Sequence, residues 1–492
     1  MRQQQVEVVG DLLAGSERLA LVEAEGGWRL THAELCELVE ELAAGLPRLG
    51  VQPGDPVAFV VEHGVPPVLL FLAICRAACV AMPINPQLRE AEIGALFDDR
   101  RPALLVLGSD GHADAEAAAG ARGIPVRPLE PGRGLGIGAR TGGDPLAAPE
   151  PDAVALILHT SGTTSRPKMV PLRQRNLAAS ARSIAGGYGL GVNDTSYCVM
   201  PLFHIHGLVA SVLAALASGG CVVIPRRVRA SGVWDHAPLH GITWFSAVPT
   251  ILGKVPAAPG EGATRLRFVR SCSSALSPQL WTDLEERFGV PVVEAYGMTE
   301  ASHQMTSNPL PPGERRPGTV GIPAGAEVTI LNEAWRPTPA GEAGEVSVRG
   351  PAVVDGYLDN PEANAESFRD GWFRTGDLGS LSADGYLTLE GRIKELINRG
   401  GEKIAPREID EALLEHPGVL EAIAYGVPSE KWGEVVHAAV VADGEVTADQ
   451  LREHCAARIA SFKVPRTIHL VPEIPKGPTG KVQRRTLTAK LG

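Results

Sequence analysis

The chain has 492 residues, too many for one ordinary domain, and its 44% apolar and 21% charged residues support a substantial core and exclude global disorder. A net charge of -11 argues against a nucleic-acid partner, and only a weak basic tail, Arg484 and Arg485, stands near the C-terminus. Seven cysteines, scattered and without a CxxC, read as reduced thiols of a cytoplasmic protein.

The N-terminus, MRQQQVEVVGDLL, carries no apolar h-region, so no signal peptide is expected. Thr31 is a helix cap with Glu34 as its capping-box partner, and Leu35, Leu38, Leu42 and Leu46 continue the apolar face. Val57 to Val61 reads as a strand, Pro67 to Ala78 as a helix, Cys79 to Ile84 as a strand, Arg89 to Phe97 as a helix and Ala103 to Leu107 as a strand. This βα alternation implies a parallel sheet covered by helices. The longest apolar stretch, around Val65 to Val80, is broken by Pro66, Pro67 and Arg76, so it reads as a core helix and not as a membrane span. Gly132, Gly134, Gly136 and Gly138 open no helix, so they are not a dinucleotide fingerprint, and Pro128 to Pro151 reads as a flexible surface connection.

The apolar run Ala153 to Leu158 reads as a buried strand that leads into HTSGTTSRPKMVPL, His159 to Leu172. Thr160, Ser161, Gly162, Thr163, Thr164 and Ser165, followed by Arg166 and Lys168, supply what a phosphate-wrapping loop needs. Glycine permits a tight turn, hydroxyls and N–H groups donate to phosphate oxygens, and cations offset charge. The Walker pattern is absent, so an ordinary P-loop NTPase is disfavoured. Taken alone, such a run is most often a solvated turn.

Arg173 to Ile184 reads as a helix, and MPLFHIHG, Met200 to Gly207, precedes an apolar helix over Leu208 to Ala217. His204 and His206 are expected on one face of an extended segment, but without a third ligand they do not make a metal site. Ile242 to Val248, Arg267 to Cys272 and Val292 to Ala295 read as strands ending in polar turns, the last two at Ser273-Ser274-Ala275 and YGMTEASHQMTSNP. Such turns converge on a crevice at the carboxyl ends of an open α/β sheet. Gly318 to Val354 reads as a small β subdomain, and the last hundred or so residues as a small α+β domain. In that domain Pro406 to His416 and Ala448 to Ile459 read as helices, and Val419 to Val427 and Val435 to Val441 as strands.

TSGTTSRPK, YGMTE, TGD, GRIKE and PTGKV occur in the order found in the acyl-adenylate-forming superfamily, and the chain resembles that family over essentially its whole length. The resemblance implies an α/β fold: a large N-terminal adenylation domain of layered sheets and helices, residues 1–393, and a small mobile α+β domain, residues 394–492, turning about Lys394. It implies ATP, Mg²⁺ and CoA as cofactors. Thr160, Ser161, Gly162, Thr163, Thr164 and Lys168 would form the phosphate loop, beside Ser274 and Ala275. Tyr296 would stack on adenine, and Asp377 would bind the ribose with Arg392 as its charged companion. Thr299 would contact phosphate, Glu300 would hold the metal, and Lys481 would approach the carboxylate and the α-phosphate. Gly400 and Gly401 resemble residues lining a pantetheine tunnel. Met169 departs from the glycine that many relatives carry there.

Within the superfamily, LHTSGTTSRPK, MPLFHIHG, RSCSSALSP, TEASHQMTSNPLP and GRIKELINRGGEKI resemble plant and fungal oxalate–CoA ligases. That implies adenylation of a small carboxylate, best matched by oxalate, followed by transfer to CoA, with His206, Ser273 and His303 meeting the second carboxylate. Malonate ligases resemble one another in placing Arg immediately before YGMTE, where this chain has Ala295. Malonate or another small acid as the substrate, transfer to a carrier-protein thiol or an amine, and activation of nitrite remain open alternatives at this point. No nucleic-acid or membrane partner is expected.

Overall fold

The computed structural model describes residues 7–130, 136–137, 146–160, 167–259, 265–475 and 484–491, with the backbone alone for 485 and 486. Thr31 caps the helix His32–Gly45 as its spacing requires: its hydroxyl accepts from the Glu34 N–H, and the Glu34 carboxylate accepts from the Thr31 N–H.

Two sheets carry the larger part of the chain. One has six strands, in the order 126–128, 104–107, 56–60, 80–83, 154–160 and 168–173. Pairing is parallel except for the last, where Lys168–Arg173 turns back antiparallel on Val154–Thr160. The other has nine strands and is parallel through its centre, where Trp244–Ala247, Phe268–Cys272 and Val292–Met298 lie side by side. His303–Ser307 adds an antiparallel strand beside Val292–Met298.

The helix Val65–Arg76 is apolar on nearly every side because it is buried between the sheets. Its Leu70 shares one core cluster with Val57 of the first sheet and Leu21 of the second. Among the described residues, no helix is long and apolar enough to cross a membrane. The expected surface connection after Pro128 is partly core instead: Leu129 and Ile137 are buried in that same cluster, and Arg76 donates to the carbonyls of Leu146 and Ala147. Gly132, Gly134 and Gly138 lie outside the described residues.

A third, antiparallel sheet contains Glu327–Leu331, Gly344–Arg349, Trp372–Leu381 and Leu387–Arg392. A fourth contains Ile397–Arg399, Val419–Ser429 and Gly433–Ala442. The chain crosses from one to the other over residues 393–396, so Lys394 belongs to neither sheet.

Candidate active site

The residues expected at the nucleotide, Tyr296, Asp377 and Arg392, come together where the nine-stranded sheet meets the third sheet. Tyr296, near the end of its strand, donates its phenolic hydrogen to Asp377. Asp377 and Arg392 are cross-strand partners, and the Arg392 Nε is 2.7 Å from the other carboxylate oxygen. Arg392 also donates to the Thr375 carbonyl at 3.0 Å. A carboxylate accepts about four hydrogen bonds, and hydroxyl donors are among the partners it suits. Burial, and after it the charge of Asp377, pushes the Tyr296 phenol well above its ordinary range.

Glu300 sits in the short turn Thr299–Ala301 that ends the Tyr296 strand, and it is buried. Its Oε1 accepts from the Tyr357 hydroxyl at 2.9 Å, and its carbonyl accepts from the Val354 N–H at 2.8 Å. The Lys168 ammonium lies over the Tyr357 ring, 4.3 Å from its centre. Burial lowers the Lys168 pKa, Glu300 works against that, and the charge of Lys394 adds to it. One buried carboxylate beside one lysine fits Mg²⁺, which takes few protein carboxylates and completes its shell with phosphates and water. Glu300 would hold the ion, with Lys168 beside it for phosphate oxygens. Thr160 is half-buried at the end of its strand, and its hydroxyl is 3.5 Å from the Lys168 carbonyl. Ser161, Gly162, Thr163, Thr164 and Lys481 lie outside the described residues.

The residues expected at the acid gather around the segment that carries His206. MPLFHIHG is not extended: a turn at residues 202–204 leads into a π-helix over His206–Leu213. His204 and His206 therefore do not share a face. His204 packs on Phe203, with ring centres 4.5 Å apart, while His206 points to the sheet. Its Nδ1 is 3.1 Å from the Ser273 hydroxyl and its Nε2 is 2.7 Å from the Ser246 hydroxyl. A π-turn adds a residue without any apolar period to announce it, and such turns are frequent at functional sites. His303 lies 4.8 Å from His206 between ring centres. Thus His206, Ser273 and His303 come together.

The backbone at this end is unusual. Ser273, Ser302 and His303 have φ of 73°, 51° and 112°, a region that side chains other than glycine rarely occupy. The glycine of YGMTE is required here, since a Cβ on Gly297 would stand 1.9 Å from the His303 carbonyl oxygen. Ser274 is half-buried and Ala275 exposed in the turn after Ser273. Thr299 is half-buried, and Lys394, Gly400 and Gly401 are exposed. A Cβ on Gly400 would meet the Trp432 ring at 2.9 Å.

Four participants were not evident from the sequence: Tyr357, Ser246, Gln304 and Arg270. Arg270 is fully buried on the strand Phe268–Cys272. Its place between Val269 and Ser271 in an apolar, central strand was the available signal, because arginine is almost never fully buried without a reason.

Comparison with known proteins shows the family. The family model for AMP-binding enzymes matches residues 14–358, and that for the AMP-binding enzyme C-terminal domain matches residues 408–481. The chain is 44% identical to an oxalate–CoA ligase of Arabidopsis thaliana, covering 94% of this chain and 93% of the relative. It is 39% identical to a sulfoacetate–CoA ligase of Cupriavidus necator, covering 95% and 94%. The ATP-bound structure of MatB from Rhodopseudomonas palustris superposes with a TM-score of 0.92 at 30% identity, covering 99% and 100%.

Proposed function

The chain belongs to the AMP-binding enzyme family, as an ATP-dependent, AMP-forming acid–CoA ligase, and from that premise we propose that its acid is oxalate. An oxygen of one carboxylate attacks the α-phosphorus of ATP and pyrophosphate leaves. The CoA thiol then attacks the acyl carbonyl, AMP leaves, and the thiol proton passes to solvent. The carboxylate is already ionised, so the first step requires no general base. Positioning and charge neutralisation supply the catalysis.

In this reading Tyr296, Asp377 and Arg392 hold the nucleoside, with Ser274 and Ala275 beside it. Thr160, Lys168 and Thr299, with the loop Ser161 to Thr164, receive the phosphates. Glu300 would hold Mg²⁺, which when bound would neutralise phosphate charge. Lys481 reaches the α-phosphate by its place in PTGKV. Residues 1–393 and 394–492 act as two domains about Lys394, and Gly400 and Gly401 line the thiol's approach. The free cysteines among the described residues suit a reducing cytoplasm.

The observation that carries the choice of acid is the cluster of His206, Ser273 and His303, with the two imidazoles 4.8 Å apart. It ends the crevice in neutral polar donors, where a long acyl chain would require an apolar tunnel. Ala295 leaves no arginine at the position that malonate ligases use. The 44% identity to an oxalate–CoA ligase supports the same choice. The test is pyrophosphate release with oxalate, sulfoacetate, malonate and nitrite, each with and without CoA. Oxalate should give the highest kcat/KM, with AMP and oxalyl-CoA as products. A higher value for any of the other three overturns this choice of acid.

A further inference from the structure

Arg270 makes four hydrogen bonds to neutral partners. Its Nε donates to the Tyr188 hydroxyl at 2.9 Å, one terminal nitrogen to the Ser246 hydroxyl at 2.9 Å, and the other to Gln304 Oε1 at 3.0 Å and His303 Nδ1 at 3.3 Å. No carboxylate among the described residues ion-pairs with it, although it is wholly shielded from solvent. A buried guanidinium without an anion costs several kcal/mol (about, by general measurement). A protein that keeps one needs its charge.

The geometry of these bonds has a direction. Guanidinium only donates. His303 must therefore accept at Nδ1, which places the imidazole hydrogen on Nε2. On the other side Ser246 accepts from Arg270, and the described neighbour that can take its own hydrogen is His206 Nε2, 2.7 Å away. His206 then carries its hydrogen on Nδ1 and donates to Ser273, 3.1 Å away. The Ser273 hydroxyl in turn has a hydrogen to give. Both arms start at one fixed positive charge and end in a donor at the acyl end.

We propose that Arg270 is a positioning residue for a dianionic acid: it fixes His303 as an Nε2–H donor and Ser273 as an O–H donor, and its buried charge is matched only when the substrate's second carboxylate arrives. Register supports this placement. Arg270 pairs with Val293, and Cys272 with Ala295, so Arg270 stands on the same sheet face as Ala295 but two residues further back. At about 3.3 Å per residue the Arg270 backbone stands roughly 7 Å before that of Cys272, and its guanidinium meets His303 at Nδ1 and not at the Nε2 that donates.

The inference rests on the proposed small dianionic acid, and the test separates the two. Oxamate has the shape of oxalate with one charge fewer. The measured quantity is the ratio of kcat/KM for oxalate to that for oxamate in pyrophosphate release, which does not depend on how much of a variant is correctly folded. In Arg270→Gln the ratio should fall about 10- to 100-fold, the range for losing a charge-assisted interaction, with the KM for ATP within a few-fold. Arg270→Lys should recover part of the ratio. Ser246→Ala, which cuts one arm and keeps the charge, should lower it several-fold. Wild-type protein that does not favour oxalate over oxamate refutes the choice of acid. Wild-type protein that does, with Arg270→Gln keeping its ratio, refutes the role of Arg270. Should neither Arg270 variant yield soluble protein, an unchanged ratio in Ser246→Ala refutes it instead.

Discussion

Tyr296 and Asp377 stand on different sheets and are joined by one hydrogen bond, the phenol donating to a carboxylate whose other oxygen takes Arg392. The pair ties the central sheet to the third sheet at the nucleotide end. Tyr296→Phe keeps the ring and removes the donor. The KM for ATP should rise about tenfold, the scale of one charge-assisted hydrogen bond, while the KM for the acid stays within twofold to threefold (about, on the same scale). Because burial and Asp377 hold the phenol protonated, wild-type kcat/KM for ATP should show no loss from this group up to about pH 10. Steady-state kinetics across pH in both proteins checks this.

Glu300→Gln keeps the shape of the side chain and an acceptor for the Tyr357 hydroxyl, but removes the charge offered to Mg²⁺. Adenylation should fall by about two orders of magnitude, as for other losses of preorganised charge at a transferring phosphoryl group. The Mg²⁺ concentration for half-maximal rate should rise with it. Titrating Mg²⁺ in a pyrophosphate-release assay reads both, and an unchanged Mg²⁺ midpoint would contradict the role given to Glu300.

Most of the layered fold was legible because its signals are local. Thr31 and Glu34 specify a cap by spacing, and Val57, Val80 and Leu104 begin or lie in apolar runs flanked by helical patterns. Lys168–Arg173 does not read as a strand in the sequence, because Pro171 interrupts its pattern and its partner Val154–Thr160 supplies the register. The His206 turn reads as extended in the sequence because a π-helix leaves no two- or three-residue apolar period. Arg270 leaves only its place between Val269 and Ser271 as a signal, for a different reason. An arginine in a strand reads as a solvent-facing position unless the topology shows both faces covered, and that cover comes from Tyr188 and Gln304, 82 and 34 residues away in sequence.

Glu294 carries a pH dependence of stability. It is buried, its Oε1 accepts from the Leu276 N–H at 3.0 Å, and burial pushes its carboxyl from an ordinary value near 4.5 up to about 7. Below pH 4.5 the group is neutral in both folded and unfolded chains and costs nothing. As pH rises to about 7 the unfolded chain releases the proton and the folded chain retains it, so folding loses stability across that window. The loss is on the order of 3 kcal/mol at about 1.4 kcal/mol per pH unit. Glu294→Gln should remove it. Urea unfolding at pH 5 and pH 8 should show a smaller drop in the variant than in wild type (about 3 kcal/mol smaller), and equal drops would show that Glu294 does not carry it.

Lys394 lies in the crossing between the third and fourth sheets and is exposed. A hinge there must absorb a large backbone change between the two half-reactions, and proline would fix φ. Lys394→Pro should lose thioester formation while adenylation, measured as pyrophosphate release, survives in part. Equal loss of both would place the hinge elsewhere.

The acyl end makes the most specific demand, because its two arms differ in how they combine. His206 and Ser273 lie on one arm, in direct contact at 3.1 Å, so each change disables the same donor. His303 lies on the other arm, held through Arg270. His303→Ala and Ser273→Ala should each lower kcat/KM for oxalate, by about 10- to 100-fold at most, since each removes one neutral donor to a charged carboxylate. Ser273→Ala with His206→Ala should cost little more than the worse single change. Ser273→Ala with His303→Ala should cost nearly the product of the two, unless the carboxylate moves to the surviving arm. A double-mutant cycle on each pair distinguishes these cases. A coupling in the Ser273–His303 cycle as large as in the Ser273–His206 cycle would mean that the donors act as one unit, not as two arms.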